Sequence, residues 1–313
     1  MKKIAIIGAG ISGLFIANLF KENSDYSLSI YEKNSSIDLE EGYGIQLSTN
    51  SINILNKIGF DALDPNEIFN PEKIDFYESI KEKKICDLNI SEFNSENCKY
   101  TTLKRSKLVE FLKNRLDVNK IKYGHDIEKI EKDNNQITLT FSQNNKINCD
   151  HLIISDGVFS KSKSLISNEQ IKPVYDNSIA IRGNISSSNI SNINKKNISL
   201  FMGHDFHYVI YPLSNDNEAF NFIGILKYKL TSNKLDNYNL FKEETFTQSI
   251  KDKLQSKISA TILDNLTNIK YFPVFVSKSY LKPVDNIFLV GDAFFAFPPS
   301  FAQGASQLSL IHI

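Results

Sequence analysis

The sequence predicts an α/β chain of two domains: a parallel sheet with helices and a β-meander, interrupted by an inserted antiparallel-sheet domain. Three observations predict it. An apolar opening run breaks at a glycine-rich turn, Gly8-Ala9-Gly10-Ile11-Ser12-Gly13; alternating apolar and polar residues set in from about Pro173 to Phe275; and a buried-strand pattern, Asn286-Ile287-Phe288-Leu289-Val290, returns afterwards. Residues 1–172 and 277–313 are accordingly read as a first, discontinuous domain, and residues 173–276 as a second.

The elements follow in order. Ile4 to Ile7 reads as a strand, Ser12 to Phe20 as a helix and Ser27 to Tyr31 as a second strand ending at Glu32, which together make a βαβ unit of Rossmann-like type. Asn50 to Ile58 repeats Ile52, Leu55 and Ile58 on one face, predicting a helix capped by Asn50 and ended by Gly59. Lys73 to Glu78 and Lys84 to Ile90 resemble paired strands, Ser106 to Leu116 a helix, and Ile127 to Asn148 a meander with turns at Asn134-Asn135 and Asn144-Asn145. The apolar strand Leu152-Ile153-Ile154 runs into Asp156-Gly157. Ser178 to Ile185, His207 to Leu213 and Ala219 to Leu226 alternate as antiparallel strands do, and helices are expected across Leu240 to Leu266.

Composition narrows the function classes. The 313 residues suffice for a large core. Lys plus Arg and Asp plus Glu each total 36, so no basic face points to nucleic acid or to an anionic membrane. Cys86, Cys98 and Cys149 are far apart and lack metal-ligand spacing, which argues against a disulfide framework or a zinc site and for reduced, cytoplasmic thiols. The apolar run from Ile4 to Phe20 is broken by three glycines, Ser12 and Asn18, so no transmembrane segment is predicted. The expected partner is a small molecule.

In the glycine turn, Gly8 permits the tight bend, Gly10 lets the backbone approach a pyrophosphate, and Gly13 lets helix and strand pack closely. The N-H groups of Ile11 and Ser12 open the helix. Glu32, 19 residues beyond Gly13 and followed by Lys33, is placed to accept ribose hydroxyls. A glycine turn without ligand is the alternative, and the motif alone does not separate NAD from FAD.

Four further segments carry a resemblance: Gly42-Tyr43-Gly44-Ile45-Gln46-Leu47-Ser48-Thr49-Asn50, Leu103-Lys104-Arg105-Ser106-Lys107-Leu108, Ser155-Asp156-Gly157-Val158-Phe159-Ser160-Lys161-Ser162-Lys163, and Gly291-Asp292-Ala293 with Pro298-Pro299 and Gln303-Gly304-Ala305. With the glycine turn, they resemble the flavin-dependent aromatic hydroxylases, single-component FAD monooxygenases similar to para-hydroxybenzoate and salicylate hydroxylases. The resemblance implies an FAD-binding domain of the GR2 type. Gly44, Ile45 and Arg105 would lie near the cofactor, and the Asp156-Gly157 turn would serve both the flavin pyrophosphate region and the reducing pyridine nucleotide. Gly291-Asp292 would serve the ribityl chain and Pro299 the isoalloxazine border, while Gly304 leads to the N-H groups of Ala305 and Ser306 facing flavin O2. The family motif has Ala and Arg where this chain has Ser155 and Lys163; lysine keeps the charge without the planar two-point grip. Phe294-Phe295 stands where many relatives carry Ala-His.

The implied reaction draws hydride from NAD(P)H to FAD, forms a flavin C4a-hydroperoxide with O2, and transfers one oxygen atom to a small aromatic, quinone-precursor or other electron-rich substrate. Arg182, His204, His207 and Tyr211 are the substrate-side candidates, with His207 and Tyr211 first for proton relay. Each is open to the plainer reading of a core or surface residue. The apolar ending Leu308-Ser309-Leu310-Ile311-His312-Ile313 breaks off where relatives continue, so the chain is read as C-terminally truncated. A reductase or dehydrogenase of the same fold, and an inactive FAD-binding remnant, are the alternatives; the absence of Trp disfavours a halogenase.

Overall fold

The computed structural model describes residues 1–299 apart from 38, 40–42, 134–135, 191, 216–218, 238 and 283. The opening run forms the strand Lys2–Ile7 at the centre of a five-stranded parallel sheet. Across that sheet the order is Ile287–Leu289, His151–Ile154, Lys2–Ile7, Tyr26–Tyr31 and Ile121–Lys122. Ala5 pairs with Leu152, and Leu152 with Ile287, so the strand His151–Ile154 joins the first and last described strands of the chain in one sheet. Ile4 to Ile7 are each at most 4% exposed, because helices cover one face and the meander the other; a strand buried on both faces must be apolar throughout. The meander pairs Ile127–Asp133, Gln136–Phe141 and Lys146–Cys149 antiparallel.

The helix Ile11–Phe20 packs against Arg105–Asn114 over a core that includes Leu14, Leu108 and Leu112. The helix predicted from Asn50 runs Thr49–Asn56 and its cap position is Ser48. Asn50 lies inside the first turn, where its side-chain oxygen accepts from the Ser48 hydroxyl and the Ser51 N-H. Gly59 ends that region at φ 82°, where a Cβ would meet the Arg115 guanidinium.

The second sheet has seven strands in the order Thr267–Val276, Val174–Ser186, Ala219–Lys227, Phe206–Pro212, Ile198–Gly203, Lys73–Glu78 and Lys84–Asn89. This differs from the division read in the sequence. The hairpin Lys73–Asn89 belongs to the first segment of chain yet completes the second sheet, through parallel pairing of Phe76 with Leu200. Strand pairing is non-local, so a boundary drawn from sequence texture does not separate the sheets.

One face of this sheet buries Ile181, Phe201, Tyr208 and Phe222 against Phe246, Ile250 and Leu254 of the helix Glu244–Leu254. The other face looks toward the first domain. A small sheet, Gly44–Leu47, Thr101–Lys104 and Ile68–Phe69, lies at that junction. Among the described residues no helix is long and apolar enough to cross a membrane.

Candidate active site

The three glycines of the first turn do different work. Gly8 has φ 97°, in the left-handed region, and a Cβ there would lie 2.6 Å from the Ser155 carbonyl oxygen. At Gly13 a Cβ would stand 2.1 Å from the Gly8 carbonyl oxygen, so both positions are set by packing. Around Gly10, apart from its chain neighbours, nothing lies within 4 Å of a Cβ. That free cradle adjoins the start of Ile11–Phe20, a helix with no side-chain cap, where N-H groups and the positive end of the helix dipole favour an anion.

Glu32 braces the turn: one carboxylate oxygen accepts the Ala9 N-H and the other the Asn34 N-H, both at 2.9 Å. Each oxygen retains further acceptor capacity. Lys33 beside it is exposed.

Ser155 explains its own departure from the motif. Its hydroxyl reaches the carbonyls of Ile7 at 2.8 Å and Gly8 at 3.0 Å, tying the strand His151–Ile154 to the first glycine turn. Ser155→Ala is expected to lower stability by ~1 kcal/mol, read as a small fall in melting temperature, while FAD affinity changes less than about threefold.

A cavity of about 520 Å³ joins the two domains. From the first domain it takes Gly10, Ile11 and Ser12, Gly44 to Gln46, Arg105, Ser155 and Gly157, and Asp292 with Phe297 to Pro299. From the second sheet it takes Ile198 and Leu200, His207, Val209 and Tyr211, and Ile223 and Ile225. The period of two shows that one sheet face forms the wall. Arg182 also lines it.

The junction is close because residue 44 is glycine: its N-H donates to Asn221 Oδ1 at 2.6 Å, and a Cβ would sit 2.9 Å from Tyr211 Oη. Arg182 Nη1 donates to the Gly44 carbonyl at 3.4 Å, and its guanidinium carbon lies 5.6 Å from the Tyr43 ring centre.

Electrostatics distinguishes these side chains. Burial pushes the Tyr211 phenol far above its ordinary value, against the opposing charge of Arg182, so it stays protonated. The Tyr100 phenol is pushed up to about 12 by burial and donates to Gln46 Oε1 at 2.9 Å. Burial lowers the pKa of His207, which keeps the imidazole neutral near pH 7. Asp292 lines the cavity as an exposed side chain; desolvation by the surrounding protein raises its pKa, with Lys163 and Arg105 opposing.

Of the residues picked from sequence, the cavity gathers Gly10, Ile11, Ser12, Gly44, Ile45, Arg105, Gly157, Arg182, His207, Tyr211, Asp292 and Pro299. Gly8, Gly13, Glu32, Asp156 and Gly291 support it from behind, whereas His204 is nearly fully exposed beside Asp205 at a hairpin tip and stands apart. Gly304, Ala305 and Ser306 lie outside the described residues. Sequence reasoning missed Gln46, Tyr100 and the aliphatic wall. Gln46 was findable, since it shares a strand face with Gly44; Tyr100 and Ile74 enter only through tertiary pairing.

These residues fit FAD: an open, uncapped helix start, a carboxylate in the same cavity and a proline-bordered wall are gathered in one space. A family model described as an FAD binding domain matches residues 1–306. A curated relative, 3-amino-4-hydroxybenzoate 2-monooxygenase of Streptomyces cremeus, is 22% identical over 228 residues, covering 71% of this chain. The chain spans 57% of that relative's length.

Among solved structures, HpxO of Klebsiella pneumoniae in complex with FAD and uric acid is similar at TM-score 0.80 and 16% identity, over 98% of this chain and 77% of that one. The 2,6-dihydroxypyridine-3-hydroxylase of Arthrobacter nicotinovorans is similar at TM-score 0.82 and 16% identity, over 98% and 81%. A salicylate hydroxylase in a substrate complex gives TM-score 0.78 at 14% identity, over 98% and 77%.

Proposed function

The chain belongs to the FAD binding domain family, and from that premise we propose that it is an NAD(P)H-driven monooxygenase acting on a small aromatic or related electron-rich substrate. The observation that carries this reading is the shared cavity: the residues suited to a flavin and the apolar sheet face with His207 and Tyr211 line the same space. FAD, when bound, supplies the redox chemistry, accepting hydride from NAD(P)H and activating O2 for transfer of one oxygen atom.

The protein's part is binding, orientation and exclusion of water. Gly10 and the helix start take the pyrophosphate, Arg105 the adenosine-ribityl region, Asp292 the ribityl hydroxyls, and Pro299 borders the ring system. Ile198, Leu200, Val209, Ile223 and Ile225 give an aromatic ring a dry wall. Tyr211 donates a hydrogen bond to a substrate oxygen, neutral His207 accepts a proton from a ring hydroxyl, and Arg182 supplies positive charge near the Gly44 carbonyl.

The test follows reductant and oxygen together across a panel of aromatic acids, phenols and quinone precursors. Substrate-stimulated NAD(P)H oxidation with matching O2 uptake and a product heavier by one oxygen supports the proposal; reductant use without oxygen uptake contradicts it and favours a reductase.

His207 gives a pH signature. A proton acceptor works when neutral, so activity is retained above its lowered pKa and lost as the pH falls through it, below the ordinary value near 6.5. His207→Gln is expected to cut kcat by roughly 100-fold and to remove that acidic limb. An unchanged limb in the variant rules His207 out as the acceptor.

A further inference from the structure

The register of the second sheet places a single cation against the aliphatic wall of the cavity. Arg182 stands opposite Ile223, Ile223 opposite Val209 and Val209 opposite Leu200, and all four line the cavity. They form one rung across four strands, with neighbours about 5 Å apart. Three members are aliphatic, and the fourth, at the end of the rung, is a guanidinium. His207 and Tyr211 lie two residues to either side of Val209, each about 7 Å from it along the strand. A ring seated over Val209 and Ile223 therefore has a polar side chain on both flanks and a cation beyond one edge.

The protein does not neutralise that cation. Among the described residues no carboxylate lies within 4.0 Å of Arg182. Its guanidinium donates to the Gly44 carbonyl at the long distance of 3.4 Å and rests against the Tyr43 ring, which leaves most of its N-H donors for a ligand. The other charged groups of the lining, Arg105 and Asp292, come from the first domain, on the flavin side. A half-buried cation beside aliphatic side chains gains most from an anion that the ligand itself brings. Lys270 pairs opposite Arg182 on the far side from Ile223, and its ammonium lies 5.8 Å from the centre of the same Tyr43 ring; it is exposed and does not line the cavity.

We propose that Arg182 makes the site selective for aromatic carboxylates: its guanidinium grips the carboxylate while the ring lies over Ile223 and Val209 and a ring hydroxyl meets His207 or Tyr211. The planar fork matches a carboxylate at two points, which an amide of the same shape cannot reproduce. This rests on the reading of the cavity as the place where substrate meets the flavin, and it narrows the substrate class to hydroxyaryl acids.

The experiment titrates the FAD-loaded protein at about pH 7.5 with 3-hydroxybenzoate and 4-hydroxybenzoate, each against its own amide, and reads binding from the flavin absorption bands. The wild type is expected to bind the better acid at least roughly 30-fold more tightly than its amide. Arg182→Met is expected to erase that preference by weakening the acid, while the amide and FAD keep their affinities within about threefold. Arg182→Lys restores part of the preference, since it returns the charge without the two-point grip. Lys270→Met keeps the preference, because its charge acts from outside the cavity.

Equal affinity for acid and amide in the wild type overturns the proposal, as does a preference that survives in Arg182→Met or one that Lys270→Met removes as completely. Bound flavin that answers to neither member of either pair overturns it as well, and leaves the wider reading of the cavity to the full aromatic panel. If Arg182→Met loses FAD, the wild-type pairs and Arg182→Lys decide. A wild type that does not bind FAD at all overturns the flavin reading itself.

Discussion

Gly13→Ala is expected to unfold the first domain more readily, with a loss of ~3 kcal/mol and a fall in melting temperature of roughly 5–10 °C. The added carbon would stand 2.1 Å from the Gly8 carbonyl oxygen and 2.6 Å from Ser155 Oγ. The hydroxyl can rotate away, but the carbonyl belongs to a turn that itself lies against Ser155, so the helix must lift off the sheet. Gly10→Ala is the control. Its Cβ meets nothing within 4 Å, so the apoprotein is expected to melt within about 1 °C of the wild type, yet FAD binding weakens by at least about tenfold because the methyl fills the cradle meant for the pyrophosphate. Thermal denaturation of apoprotein and FAD titration, run on both variants, separate the two roles. Equal destabilisation would contradict the division.

Asp292→Ala is expected to weaken FAD by roughly 100-fold, about 2.7 kcal/mol, since hydrogen bonds to a carboxylate in a partly desolvated cavity are strong. Asp156→Ala is expected to change FAD affinity by less than about tenfold. Asp156 Oδ2 accepts the Ser162 N-H at 3.1 Å and Asp156 does not line the cavity, so its removal acts mainly through the helix that follows. FAD retained equally in the two variants sinks this assignment.

The motif-bearing parts of the fold were legible in sequence because steric necessity fixed them. Gly8 and Gly13 stand where no larger residue fits, and Ile4 to Ile7 are apolar at every position because both strand faces are covered. Those constraints are local, so a single sequence displays them. Pairing across the second sheet is different: Phe76 meets Leu200 across more than a hundred residues, and no period in either segment announces the partner. The site follows the same rule. Asp292 and Gly10 belong to recognisable turns, whereas Tyr100 faces the cavity only because Gln46 takes its hydroxyl, and His204 and His207, three residues apart, end at a hairpin tip and on the cavity wall respectively. Lys163 was visible as a departure from a motif; that it is buried was not.

The central claim is that one cavity holds the flavin against the substrate-side sheet. It is tested most directly by adding FAD to the apoprotein and following flavin absorption and fluorescence, then adding members of the aromatic panel to the complex. The account predicts one FAD bound per chain and a substrate-induced shift of the flavin bands that disappears in His207→Gln combined with Tyr211→Phe. Chain that leaves FAD fluorescence unquenched, or bound flavin whose spectrum no panel member moves, would contradict it.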